Sequence, residues 1–166
     1  MDNDVAPAEA QARRLEQVYE HLLAELNQPE VRQRLRNAPG ETGWSVMQIL
    51  GHMAEMIPYW LNHCRTLITA AGADRPPQFG RSLDAPERLE GVERGQKAGL
   101  DELLHLLKQE IAIAAATIRS LSPAERGRKG RHIRRGEMTV ADILESFIVA
   151  HAEEHLAQVR QTLEHD

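Results

Sequence analysis

His151 and His155 stand four residues apart near the end of the chain, in VADILESFIVAHAEEHLAQV. On an α-helix that spacing is one turn, so both imidazoles project from the same face. At about 100° per residue, Val140, Leu144, Phe147, Ile148 and Val159 fall on that face as well, with Glu153 and Glu154 on others. A buried polar group without a partner costs about 1–3 kcal/mol, so two imidazoles inside an apolar stripe need something to bind. A metal ion held by both nitrogens satisfies them; a hydrogen-bonded histidine pair is the plainer arrangement. A site with an open coordination position needs a third protein ligand. His52 and His63 both flank the apolar side of an earlier helical stretch, about three turns apart, and spacing alone does not choose between them.

Other side chains could take part. Gln158 lies at the edge of the stripe, where its amide can orient an imidazole. Glu55 reads as a solvated residue or as support for His52. His132 falls in a loop and is expected to be exposed, with an approach to the open side of a metal as the alternative. Arg126, Arg128, Lys129, Arg131, Arg134 and Arg135 concentrate positive charge in an otherwise acidic chain. They can form a rim that recruits anions, such as the carboxylates of a thiol cofactor or of a substrate. Exposed charge runs are more often solvated and paired with neighbouring acids. Trp44, Trp60 and Cys64 read as core, and His21, His105 and His165 as ordinary.

Helical periodicity must position these groups. It predicts a first helix over about 8–26 and a short turn toward 36, stopped by Ala38-Pro39-Gly40. A second helix starts at Ser45, where Ser45 and Gln48 form a capping box. It continues through Pro58 with a kink and closes at Gly72. Residues 72–86 read as a loop. A third helix spans about 86–121, weakened at its start by Gly91, Gly95 and Gly99. Residues 122–138 form a second long loop. Thr139 and Asp142 cap a fourth helix over 140–163.

The 166 residues suit one domain over 1–166, with 1–7 as a loose tail. Apolar residues make up 42% and aromatics only 4%, which favours packed helices over strands. A formal charge of −5 argues against a nucleic-acid binder. No apolar run reaches membrane-spanning length, and MDNDVAPAEA does not read as a signal peptide. With Cys64 as the one cysteine, no intrachain disulfide forms, which fits a reducing cytoplasm.

Trp44-Ser45-Val46-Met47-Gln48-Ile49-Leu50-Gly51-His52, a Trp-Ser helix start followed by Leu-x-His, resembles the second-helix signature of the DinB/YfiT-like superfamily. Gly136-Glu137-Met138-Thr139-Val140, followed by His151-Ala152-Glu153-Glu154-His155-Leu156, resembles its fourth-helix signature. The resemblance implies an all-α four-helix bundle in up-down-down-up order, often a homodimer. It implies a three-histidine site for one divalent transition metal, which falls here on His52, His151 and His155. Zinc and nickel suit imidazole ligands, with iron or manganese as alternatives. Similar proteins include metal-dependent hydrolases, and transferases or isomerases that use bacillithiol or mycothiol. The implied partner is therefore a small-molecule substrate, including a low-molecular-weight thiol, with no nucleic acid and no membrane. The alternative is a non-catalytic bundle, stabilised by its ion, that serves as a dimerisation or interaction module.

Overall fold

The computed structural model describes residues 7–37, 43–70, 72 and 74–164. Most of the expected N-terminal tail, the stop at 38–40 and His165 lie outside these residues; Pro7 is the N-cap of the first helix. Four long helical rods make the bundle: α1 (Ala8–Leu26), α3 (Val46–Thr69), α5 (Leu100–Ser120), and a last rod of α7 (Val140–Ile143), a π-helical segment (Leu144–Val149) and α8 (Ala150–Glu164). The shorter helices are α2 (Pro29–Arg32), α4 (Pro86–Lys97) and α6 (Pro123–Arg126). Going round the up-down-down-up bundle, α1 packs on α5 and on the last rod, and α3 packs on the same two from the other side. Leu15, Leu22, Ile49, Met53, Ile57, Leu107, Leu144 and Ile148 are fully buried between them. Burying such apolar side chains is the main force holding the helices together.

Both expected capping boxes form. Ser45 Oγ accepts from Gln48 N at 3.2 Å while Gln48 Oε1 accepts from Ser45 N at 2.8 Å. Thr139 Oγ1 accepts from Asp142 N at 3.1 Å, and Asp142 Oδ2 accepts from Thr139 N at 2.9 Å. The start of each histidine-bearing rod is thereby fixed. Arg14 of α1 ties down the last rod, pairing with Glu145 at 2.7 Å and Glu153 at 2.5 Å.

Two expectations need correction. The single third helix over 86–121 is two helices, α4 and α5, separated at Ala98 and Gly99. Gly91 and Gly95 do not merely weaken α4; they let it lie directly on α3. A Cβ on Gly95 would come within 2.8 Å of Gly51 Cα and collide with the Met47 carbonyl, and one on Gly91 would reach Glu55 Cβ at 2.6 Å. The two long loops are also partly ordered as strands. β1 (Gln78–Phe79) pairs in parallel with β2 (Lys129–His132), which forms an antiparallel hairpin with β3 (Gly136–Thr139). The alternation in β2 explains the pairing: Lys129 and Arg131 face solvent, while Gly130 and His132 face the bundle.

Candidate metal centre

His52 projects from α3 just after the Gly51 contact with α4, and His151 and His155 project from α8. Their rings meet. The His52 centroid lies 5.6 Å from that of His151 and 4.7 Å from that of His155. Nε2 of His151 is 2.9 Å from Nε2 of His155. One ligand atom from each of the three can be chosen so that all lie within 4.8 Å of one another, the only such potential metal-holding group among the described residues. His63 is elsewhere, against Tyr59, Trp60 and Phe79.

The donors are prepared for a cation. Gln158 Oε1 lies 2.8 Å from Nδ1 of His155. An amide oxygen only accepts, so Nδ1 carries the proton and Nε2 offers its lone pair to the centre of the cluster. His52 is 1% exposed, and neither of its ring nitrogens has a hydrogen-bond partner among the described residues. An unsatisfied buried group of this kind is unfavourable unless something coordinates it. Burial pushes the His52 imidazole down to about 2, helped by the neighbouring histidines. Burial likewise lowers His155 to about 4, and it lowers His151 as well. All three are thus neutral at ordinary pH, the form that ligates. The donor set and its unsatisfied nitrogens fit a divalent metal.

The centre opens on one side. His52 and His155 are buried, whereas His151 is partly exposed to a pocket of about 200 Å³ that also reaches His52. Trp60 and Phe147, stacked with centroids 4.3 Å apart, form an apolar wall. Trp44 packs against the core, as expected, and also stands 5.2 Å from His52 and 6.5 Å from His155, centroid to centroid. Arg81, Arg88, Arg134 and Arg135 line the mouth together with Glu154. The expectation that Glu154 faces elsewhere is corrected here: three residues beyond His151, it reaches the same opening.

Other assignments also change. His132 is not an exposed loop residue; it is 3% exposed on β2, stacked on Phe147 at 5.0 Å. Its Nδ1 accepts from the backbone N–H groups of both Arg134 and Arg135, each at 3.1 Å. Glu55 is not solvated; both of its oxygens meet the Arg81 guanidinium, one at 2.6 Å. Cys64 is buried and its thiol is pushed up to about 12, so it packs rather than reacts. His21 and His105 are exposed. Arg81, Arg88 and the π-helical segment before His151 have no motif in the sequence that marks them. Only the proline-arginine-rich composition of 75–88 hinted at the first two.

Among solved structures, the fold is similar to YfiT from Bacillus subtilis, described as a probable metal-dependent hydrolase with an unusual four-helix bundle topology. The identity is 18% and the TM-score 0.73, covering 99% of this chain and 92% of that one. It is also similar to a mycothiol-dependent maleylpyruvate isomerase, at 14% identity and a TM-score of 0.72. That match covers 93% of this chain but only 61% of the other. At such identities the likeness concerns the fold. A search of curated proteins gave no match. Residues 11–159 match the DinB superfamily, a span that runs from the first helix to the last and includes all three clustered histidines, and the chain belongs to that superfamily.

Proposed function

We propose that this protein is a metal-dependent enzyme acting on a small molecule, with His52, His151 and His155 as the ligands of one divalent ion. The observation that carries the reading is His52, whose two nitrogens are buried and without a hydrogen-bond partner among the described residues, beside a histidine pair of which His151 lines an open pocket. Held by three neutral imidazoles, such an ion would keep its full charge, which would polarise a water molecule or hold a soft thiolate. The chain supplies the rest. Gln158 holds the tautomer of His155, Trp60 and Phe147 keep water from one side of the pocket, and the arginines set an electropositive mouth. The similar structures, described as a probable metal-dependent hydrolase and a mycothiol-dependent isomerase, support hydrolysis or a thiol-dependent reaction as the class to test. Zinc or nickel is the preferred metal. The chain is expected to work as a cytoplasmic homodimer, which light scattering tests. No helix among the described residues is long and apolar enough to cross a membrane.

The test is metal content of protein purified without a metal-affinity tag, for wild type and for His151→Ala. About one equivalent in wild type and little in the variant is the expected result. The zinc- and nickel-loaded forms are then screened against esters, amides and thiol-transfer substrates. A wild-type chain that takes up neither metal sinks the proposal.

A further inference from the structure

The charges at the pocket mouth are not equivalent. Arg81 is neutralised by Glu55, with side chains 9% and 13% exposed, and it also lies over the Tyr59 ring at 3.7 Å. Arg88, Arg134 and Arg135 have no carboxylate partner among the described residues. The Arg88 and Arg135 side chains are held by other contacts, and Arg134 is held through its backbone. Arg88 donates to the Leu83 carbonyl at 2.7 Å and stands 5.1 Å from the Trp44 ring. Arg135 stands 4.7 Å from the Phe147 ring. Arg134 and Arg135 sit in the turn of the β2–β3 hairpin, where Nδ1 of His132 gathers both backbone N–H groups. Three arginines without a carboxylate partner among the described residues therefore line one opening, against a single acid, Glu154. A guanidinium presents paired donors that match carboxylate and phosphate oxygens. A concave pocket of about 200 Å³ suits a small molecule and is too confined for a nucleic-acid backbone.

We propose that Arg88, Arg134 and Arg135 form an oxyanion subsite at the pocket mouth, so that the ligand of this protein is a small molecule carrying a carboxylate or phosphate group in addition to the group that reaches the histidines. His132 is the positioning residue of that subsite. The reading rests on the proposed function for its second half only; the subsite itself needs no metal.

The experiment is calorimetric titration of the full chain at low salt, metal-stripped and separately zinc-loaded, with succinate, phenyl phosphate and dimethyl succinate. Succinate and phenyl phosphate separate the two oxyanion chemistries, and the neutral diester controls for shape. The expected result is binding of at least one anion by the stripped protein, without binding of the diester. Arg134→Met/Arg135→Met should weaken it by about 10–100-fold, the loss typical of charge-assisted hydrogen bonds. Arg128→Met/Arg131→Met, in the same basic segment but outside the pocket, should leave it within about twofold. Equal losses in both double variants would show a diffuse charge effect and overturn the subsite, as would equal binding of the diester or no binding of either anion. Zinc uptake is measured in parallel. Anion binding by a chain that takes up no zinc refutes the metal reading and leaves the subsite standing, whereas zinc uptake without anion binding refutes the subsite alone.

Discussion

Gln158 Oε1 accepts a hydrogen bond from Nδ1–H of His155 at 2.8 Å, one turn along the same helix. This bond decides which nitrogen of His155 faces the cluster. Gln158→Leu keeps the bulk and removes the acceptor, leaving the ring free to change tautomer or turn. Loss of such an outer hydrogen bond typically lowers metal affinity by about 10–100-fold. Competition against a chromophoric chelator should show a drop of that size for zinc, with Gln158→Glu keeping most of the affinity because it also accepts at that position. Unchanged affinity in Gln158→Leu would mean that packing alone orients His155.

His132 offers a separate test, because its role differs from that of the clustered histidines. Its Nδ1 holds the backbone of Arg134 and Arg135, and its ring stacks on Phe147. His132→Phe preserves the stack and abolishes the acceptor; His132→Asn restores an acceptor near the same point. We expect His132→Phe to weaken oxyanion binding by about 5–20-fold, the equivalent of one or two lost neutral hydrogen bonds, with zinc content unchanged. Partial recovery in His132→Asn would identify the acceptor as the cause. Simultaneous loss of zinc in His132→Phe would show instead that the variant disturbs the whole pocket.

What could be read in the sequence was local. The i, i+3 logic of a capping box needs only Ser45 with Gln48, or Thr139 with Asp142, and both boxes form. The one-turn spacing of His151 and His155 likewise required no knowledge of the rest of the chain. His52 could not be told from His63 by spacing, since that choice depends on how α3 faces α8. The strands were illegible because each is only two or four residues long and their charged outer positions resemble a solvated loop. Gly91 and Gly95 read as weak points because propensity counts only the cost of glycine within its own helix. The gain, a close approach to Gly51, lies about 40 residues away in sequence. Arg88 reaches the pocket for the same non-local reason.

Acid should weaken the metal-free fold through the buried histidines. In the unfolded chain they titrate near ~6.5, whereas burial holds His155 at about 4 and His52 at about 2 when folded. Below the unfolded value the unfolded chain therefore binds more protons than the native one. The stability is fully present above pH ~6.5 and is lost as pH falls toward the folded values. With chelator present, the Tm of wild type should fall between pH 7.5 and 5, before the carboxylates titrate. His52→Leu should flatten that slope, because one of the depressed groups is gone. Parallel slopes for the two proteins would show that His52 contributes nothing to the acid sensitivity. Zinc should raise the Tm at pH 7.5 without flattening the slope, since bound metal keeps the native histidines unprotonated while the unfolded chain still takes up protons as pH falls.

Gly95→Ala sets two opposing effects against each other. Alanine favours a helix over glycine by about 1 kcal/mol, and Gly95 lies inside α4 at φ below zero, where alanine is at ease. The new methyl group, however, meets the Met47 carbonyl and the Gly51 N and Cα, the last two at 2.9 and 2.8 Å. These are backbone atoms of a capped helix, which cannot swing aside as a side chain would. Overpacking costs about 1–3 kcal/mol; against backbone atoms the upper part, about 2–3 kcal/mol, applies, so the clash should exceed the propensity gain by about 1–2 kcal/mol. At about 2–4 °C per kcal/mol for a chain of this size, Tm should fall by roughly 2–8 °C. Gly99→Ser is the matching control. Gly99 caps α5 with open space around it, and serine there gains a few tenths of a kcal/mol. A thermal melt in which Gly95→Ala is as stable as wild type would mean that α4 can lift from α3 at little cost. That outcome would leave Arg88, carried on α4, free to move with it.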